Sequence, residues 1–240
     1  MRKIVSENNL VFIITDQGLF YNNIPLEYID KGEEGSVYRY QDKAIKIYHD
    51  YPRKTTASLD LLKVLKTIDT KRILMPIDIL VEAPNKAKGY ITPFIEGNKD
   101  IVYKYPKDKL LEELSFLDDD FATLGKESIA IGDLRESNYL SNETGFFLFD
   151  YGDYYQKPRK IDTTSTNVEE FQVFFLYNLV SPKLKQEASK LKLSEQQVMS
   201  IYRKTRYEIT HHKQGLVDYL AKNMNNEENL NNYVKRLIRR

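Results

Sequence analysis

Three polar residues in the middle of the chain have types and spacing suited to chemistry: Asp133, Asn138 and Asp150. In Gly132-Asp133-Leu134-Arg135-Glu136-Ser137-Asn138-Tyr139-Leu140 a strand-like run ends in Asp, with an Asn five positions later. In Phe147-Leu148-Phe149-Asp150-Tyr151-Gly152 a second apolar run ends in Asp. Two strands finishing this way would set both carboxylates at one edge. With the Asn side-chain oxygen they offer hard oxygen ligands of the kind Mg2+ takes. Either motif alone is equally well an Asp that opens a turn. Two weaker signals lie upstream. Gly32-Glu33-Glu34-Gly35-Ser36-Val37-Tyr38 places two glycines around an acidic pair just before a strand. Such a backbone can approach phosphates closely, or can simply turn. Ala44-Ile45-Lys46-Ile47 sets a lysine in an apolar strand, where an edge position would send it to solvent.

The elements that must position these residues follow from periodicity. Leu10–Thr15, Leu19–Asn22 and Ser36–Tyr40 read as strands, with Asp16-Gln17-Gly18 as the hairpin turn between the first two. Lys43–Tyr48 is a further strand, alternating Ala44, Lys46 and Tyr48 against Ile45 and Ile47. Thr55–Asp69 has Leu61, Leu62, Leu65 and Ile68 at helical spacing, with Thr56 or Ser58 as its cap. Ile77–Glu82 and Lys88–Ile95 are strands around the turn Ala83-Pro84-Asn85-Lys86. Beyond Gly97 the pattern turns helical. Pro106 opens a segment with Leu110, Leu111, Leu114, Leu117, Phe121 and Leu124 on one face, and the acidic run Asp118-Asp119-Asp120 belongs to its exposed side. Short apolar runs at Ser128–Ile131 and Phe146–Asp150 come next. Phe171–Val180 reads as a buried helix, and Ser194 with Gln197 forms a capping box for a helix to about Glu208. Leu216–Met224 and Glu228–Arg239 read as the last helices.

Glycine loop, strand lysine, helix, strand pair, apolar helix, D-x4-N and D-x-G occur here in one order. That order resembles the protein kinase-like superfamily over about residues 28–180. The resemblance implies an α+β, bilobal protein-kinase-like fold. Residues 1–96 would form a β-rich lobe with an antiparallel sheet and one helix, and residues 97–240 a mainly helical lobe. It implies ATP and Mg2+ as cofactors. Gly32 and Gly35 would lie over the ATP phosphates, Val37 would cover the adenine, and Ala44 would join the nucleotide pocket. Lys46 would pair with the α- and β-phosphates. Thr92, Phe94 and Glu96 would belong to the hinge that reads adenine. Asp133 would orient and deprotonate the attacking hydroxyl, Arg135 would stabilise transferred charge, and Asn138 and Asp150 would hold Mg2+. The implied activity is transfer of the γ-phosphate of ATP to a hydroxyl by a Ser/Thr protein kinase-like enzyme. A nucleotide-binding pseudokinase scaffold and a small-molecule kinase are the alternatives.

The chain departs from the family in three places. The helix Glu that pairs with the lysine in protein kinases is missing, and Asp60 is its only acidic substitute in the helix, on a shorter arm and one turn from Lys63. Ile131-Gly132 replaces the His-Arg before Asp133, as in small-molecule and bacterial branches such as aminoglycoside phosphotransferases. No Ala-Pro-Glu follows Gly152, so little platform for a peptide acceptor is expected.

Bulk properties narrow the partners. The formal charge of the 240 residues is +1, which makes no global case for a nucleic-acid partner. There is no Cys, which excludes disulfides and thiolate metal sites. Met1–Asn9 lacks the apolar core of a signal peptide, and the Phe171–Val180 run is too short to span a bilayer. A cytoplasmic protein without a membrane span is expected.

Overall fold

In the computed structural model the hairpin signal closes as the sequence predicts. Asp16 and Gln17 link β2 (Val11–Thr15) to β3 (Gly18–Tyr21), with Thr15 paired to Gly18. Gly18 takes a φ of +127°, which a side chain would resist. The structure describes residues 1–51, 56–83, 86–99, 105–132, 134–157, 161–175, 192–194, 196–197 and 200.

The N-terminal residues form β1 (Arg2–Ser6), which pairs with β2 on one side and with β8 (Asp78–Ala83) on the other. β4 (Ile24–Pro25) and β5 (Glu27–Lys31) follow, then β6 (Gly35–Tyr40), β7 (Lys43–Tyr48) and β9 (Lys86–Pro93). These nine strands make one sheet in the order β4-β3-β2-β1-β8-β9-β7-β6-β5, and every pairing in it is antiparallel. Its two end strands are joined by Leu26 alone, so the sheet curls back until its ends nearly meet, like an incomplete barrel.

This architecture corrects the α+β, bilobal arrangement expected from the motifs. The described residues are mostly β. Four more strands, β10 (Ile129–Ala130), β11 (Tyr139–Asn142), β12 (Gly145–Leu148) and β13 (Tyr155–Gln156), lie in the half expected to be helical. They pair as β10–β13 and β11–β12. Strands of two to four residues carry no readable period, and β10 finds its partner β13 on the far side of the whole β11–β12 hairpin. The helices expected at about 194–208, 216–224 and 228–239 lie outside the described residues, except that the Ser194–Gln197 capping box is formed. The Ser194 N–H donates to Gln197 Oε1 at 2.9 Å and the Gln197 N–H to Ser194 Oγ at 3.3 Å.

Helix α1 (Leu59–Lys66) is shorter than the predicted segment and is capped by Ser58, whose Oγ accepts from the Leu61 N–H. Helix α2 (Lys107–Lys126) buries Leu114, Leu117, Phe121 and Leu124, as the pattern requires. Asp120 departs from the expected exposed face. It is 3% exposed, and its carboxylate accepts backbone N–H bonds from Lys71, Arg72 and Ile73. Helix α3 (Thr164–Phe175) starts before the predicted Phe171 and packs Phe171 on Phe121, with ring centroids 5.2 Å apart. One core lies on a single face of the sheet around Ile4, Phe12, Leu19, Ile45, Ile47, Leu80 and Ile91. The other joins α1, Ile79 and Tyr90 to α2, Tyr139, Leu148 and Phe171. The alternation in β7 therefore turns Ile45 and Ile47 to the first core and Lys46 to the opposite face.

Candidate functional site

Lys46 sits in the middle of β7, which is hydrogen-bonded to β6 through Val37 and to β9 through Tyr90. The edge-strand alternative is thereby removed, and the lysine is buried. Its Nζ donates to Glu34 Oε2 at 2.6 Å and to Asp150 Oδ1 at 2.5 Å. The partner of the lysine is thus an acid of the glycine loop. Asp60 is exposed on α1 and does not fill that role. Sequence reasoning missed Glu34 because it sought the partner in the helix. The available signal was an acidic residue between two glycines, next to a strand that pairs with the strand of the lysine.

Local backbone explains why Glu34 reaches inward. The Gly32 N–H bonds the Gly35 carbonyl at 2.9 Å, and the His49 N–H bonds the Glu34 carbonyl at 2.8 Å. A Cβ on Gly35 would stand 2.2 Å from the Ile47 carbonyl oxygen, so only glycine lets the loop lie this close to β7. A Cβ on Gly152 would stand 1.5 Å from Glu34 Oε1, so the carboxylate rests where any larger residue would carry a side chain.

Asn138 and Asp150 meet differently from the two-strand edge predicted. β10 and β12 belong to separate sheets. Instead, the β11–β12 hairpin pairs Tyr139 with Leu148, and the Phe149 N–H bonds the Asn138 carbonyl at 3.0 Å. Asn138 ends a short 3-10 turn, Glu136–Asn138, and Asp150 follows β12, so both stand at the open end of one hairpin. Asp150 has a φ of +77°, a left-handed conformation that Asp and Asn tolerate better than most residues. Asp133 lies outside the described residues. The segment entering it is held by Asn167 of α3, whose Oδ1 accepts the Ile131 N–H at 2.9 Å and whose Nδ2 donates to the Ile129 carbonyl at 3.0 Å.

A cleft of about 550 Å³ collects the predicted residues. Gly32, Gly35, Val37, Ala44, Lys46, Thr92, Phe94, Arg135, Asn138 and Asp150 all line it, together with apolar Ile29, Leu74, Leu140 and Phe149. Glu96 is not among the lining residues. Its carboxylate pairs with Arg39 at 2.8 Å and is largely exposed. The Phe94 N–H is committed to the Asp42 carbonyl at 2.8 Å, so any hinge donor to a base comes from another residue. Across the cleft mouth the Arg135 guanidinium is 4.0 Å from the Glu33 carboxylate.

The electrostatics of the cleft are set by burial. Burial raises the Glu34 carboxyl above the ordinary range and Asp150 adds to this by repulsion, while Lys46 opposes both. The Tyr90 phenol forms part of the wall and is pushed well above its usual value, mainly by burial. Its hydroxyl is 3.5 Å from Asp150 Oδ1. Among the described residues no three His, Cys, Asp or Glu side chains cluster as a metal-binding group. A cation in this cleft would use Asp150 with the Asn138 amide oxygen, a hard donor set compatible with Mg2+. No helix among the described residues is long and apolar enough to cross a membrane. Comparison of the sequence with protein-family models and with curated proteins finds no match.

Proposed function

We propose that this protein is an ATP- and Mg2+-dependent phosphotransferase that moves the γ-phosphate of ATP to a hydroxyl acceptor, in the manner of a Ser/Thr protein kinase-like enzyme. The observation that carries the proposal is convergence. Lys46 and Asp150 are 104 positions apart, yet they touch in a cleft shared with Asn138, Arg135 and both loop glycines.

The division of labour follows from residue chemistry. The apolar walls at Val37, Ala44, Leu140 and Phe149 suit a base, and the charged floor suits a phosphate chain. Lys46 and Arg135 supply fixed positive charge where negative charge collects on the transferred group. Asn138 and Asp150 would hold Mg2+, which when bound neutralises phosphate charge and orients the chain. Asp133 would accept the acceptor's proton. Catalysis of this kind is mostly positioning and electrostatics, which a rigid hairpin and a central strand can deliver.

Incubation with γ-labelled ATP and Mg2+ tests the proposal. Wild type should transfer or hydrolyse the label. Asp133→Ala and Asp150→Asn should each lower the rate at least about a hundredfold, Asn being chosen at position 150 because it tolerates the positive φ. Equal rates in all three proteins would rule the assignment out. One observation favours the scaffold reading. Glu34 already occupies Lys46, as it would in a protein that binds nucleotide without turning it over. Nucleotide binding with no label released by wild type would select that reading.

A further inference from the structure

The glycine loop carries two acids side by side, and each faces a cation that the proposed function needs. Glu34 is on Lys46 at 2.6 Å, and Glu33 is 4.0 Å from Arg135. A loop meant only to cradle phosphates gains nothing from negative charge, since Glu33 and Glu34 would repel the phosphate chain they cover. We infer that Glu33 and Glu34 form an acidic latch, in which the Glu34 carboxylate occupies the phosphate seat on Lys46 and a phosphate chain binds only by displacing it. This rests on the phosphotransferase reading of the same cleft.

Three observations support the latch. Lys46 already has two carboxylates, Glu34 and Asp150, so a phosphate arriving as a third anion leaves one negative group without compensation. Glu34 and not Asp150 is the group that can leave. Its backbone is tied by the Gly32–Gly35 bond and by the His49 N–H on the Glu34 carbonyl, so what moves is its side chain, which is one rotatable bond longer than that of Asp150 and can swing off Lys46 without breaking a strand pair. Finally, the place the carboxylate takes is left by the missing side chain of Gly152, so the seat on Lys46 depends on a glycine there. The Glu33–Arg135 pair is half-exposed at both ends and adds only a weak second hold. Displacing Glu34 leaves Lys46 with Asp150 and a place for a phosphate oxygen, so the Glu34 carboxylate sets the affinity for the phosphate chain.

Inorganic tripolyphosphate is a suitable probe because it carries the charge of the chain without a base. Its binding would be measured by calorimetry on the full chain, without Mg2+, for wild type, Glu34→Gln and Gly152→Ala. Glu34→Gln removes the competing charge. Gly152→Ala leaves both acids intact and fills the space the carboxylate needs, so it guards against an effect peculiar to a buried substitution. Both variants should bind tripolyphosphate about tenfold tighter than wild type. Equal or weaker binding in both overturns the latch and makes Glu34 a positioning partner of Lys46. The nucleotide reading fails separately. If both variants bind tripolyphosphate tighter but ATP no better than tripolyphosphate, the latch stands without a base site. If wild type prefers ATP and neither variant gains affinity, the base site stands without a latch.

Discussion

Lys46 shows how a buried charge constrains its neighbours. Its Nζ satisfies two carboxylates at once, so removing it leaves Glu34 and Asp150 facing each other in a partly dry cleft. Breaking one side of a buried pair is far more costly than deleting the whole pair, because the remaining charge loses its compensation. Lys46→Met should therefore destabilise the fold by about 3 kcal/mol in urea unfolding. Adding Glu34→Gln to it should recover part of that loss, because the repulsion is then gone. A double mutant less stable than Lys46→Met would disprove this coupling. Asp60→Ala is the contrasting case. Asp60 is exposed, so its loss should change stability by no more than about 0.5 kcal/mol and leave nucleotide affinity unchanged. Only Glu34 of these two acids was hidden from sequence reasoning, since contact between loop and strand depends on how β6 and β7 pair.

Helix α3 acts on the site through one side chain. Asn167 is fully buried and makes hydrogen bonds to Ile131, Ile129 and Phe121, all outside its own helix. It thereby ties α3 to the segment that leads into Asp133 and to the end of α2. Asn167→Ala leaves the Ile131 N–H buried without its acceptor, while the Ile129 carbonyl keeps the Thr163 hydroxyl, which should cost about 1–3 kcal/mol in denaturant unfolding. In the labelled-ATP assay the rate should fall as well, since Ile131 and Gly132 lose their anchor. An unchanged rate would show that the backbone before Asp133 is held by other contacts. The element itself was half legible. The apolar run from Phe171 marked a buried helix, while its start at Thr164 and the hydrogen-bond partners of Asn167 appear only once Ile129 and Ile131 are beside it.

The curled sheet is held at one corner by charge. Asp50, just after β7, accepts from Arg2 of β1 and from Lys88 of β9, each at 2.6 Å. These two bonds draw its carboxyl well below the usual Asp value of 3.8. A depressed carboxyl stabilises the fold above the unfolded value and loses that contribution as pH falls below it. Asp50→Asn should therefore melt at a lower temperature than wild type at pH 7, and the gap should narrow as pH drops below 3.8, as thermal scans across that range would read. Because Asp50 is nearly half exposed, solvent and salt weaken the effect, and added salt should shrink it further.

The sequence by itself determined the local pieces. Period-two alternation located β7 and set Lys46 opposite Ile45 and Ile47, helical spacing located α1 and α2, hydroxyl chemistry narrowed the α1 cap to Thr56 or Ser58, and turn chemistry located the Asp16-Gln17 hairpin. These features depend on neighbours a few positions away, so they are written in adjacent residues. Of the side chains that the motif order singled out, Glu96 is not among the cleft-lining residues and Asp133 lies outside the described residues. Tertiary structure alone decided the rest: the pairing of β1 with β8, the curl of the nine-stranded sheet, the pairing of β10 with β13, and the choice of Glu34 over Asp60 for Lys46. Each depends on contacts between residues far apart in the chain, where no local pattern specifies which partner wins.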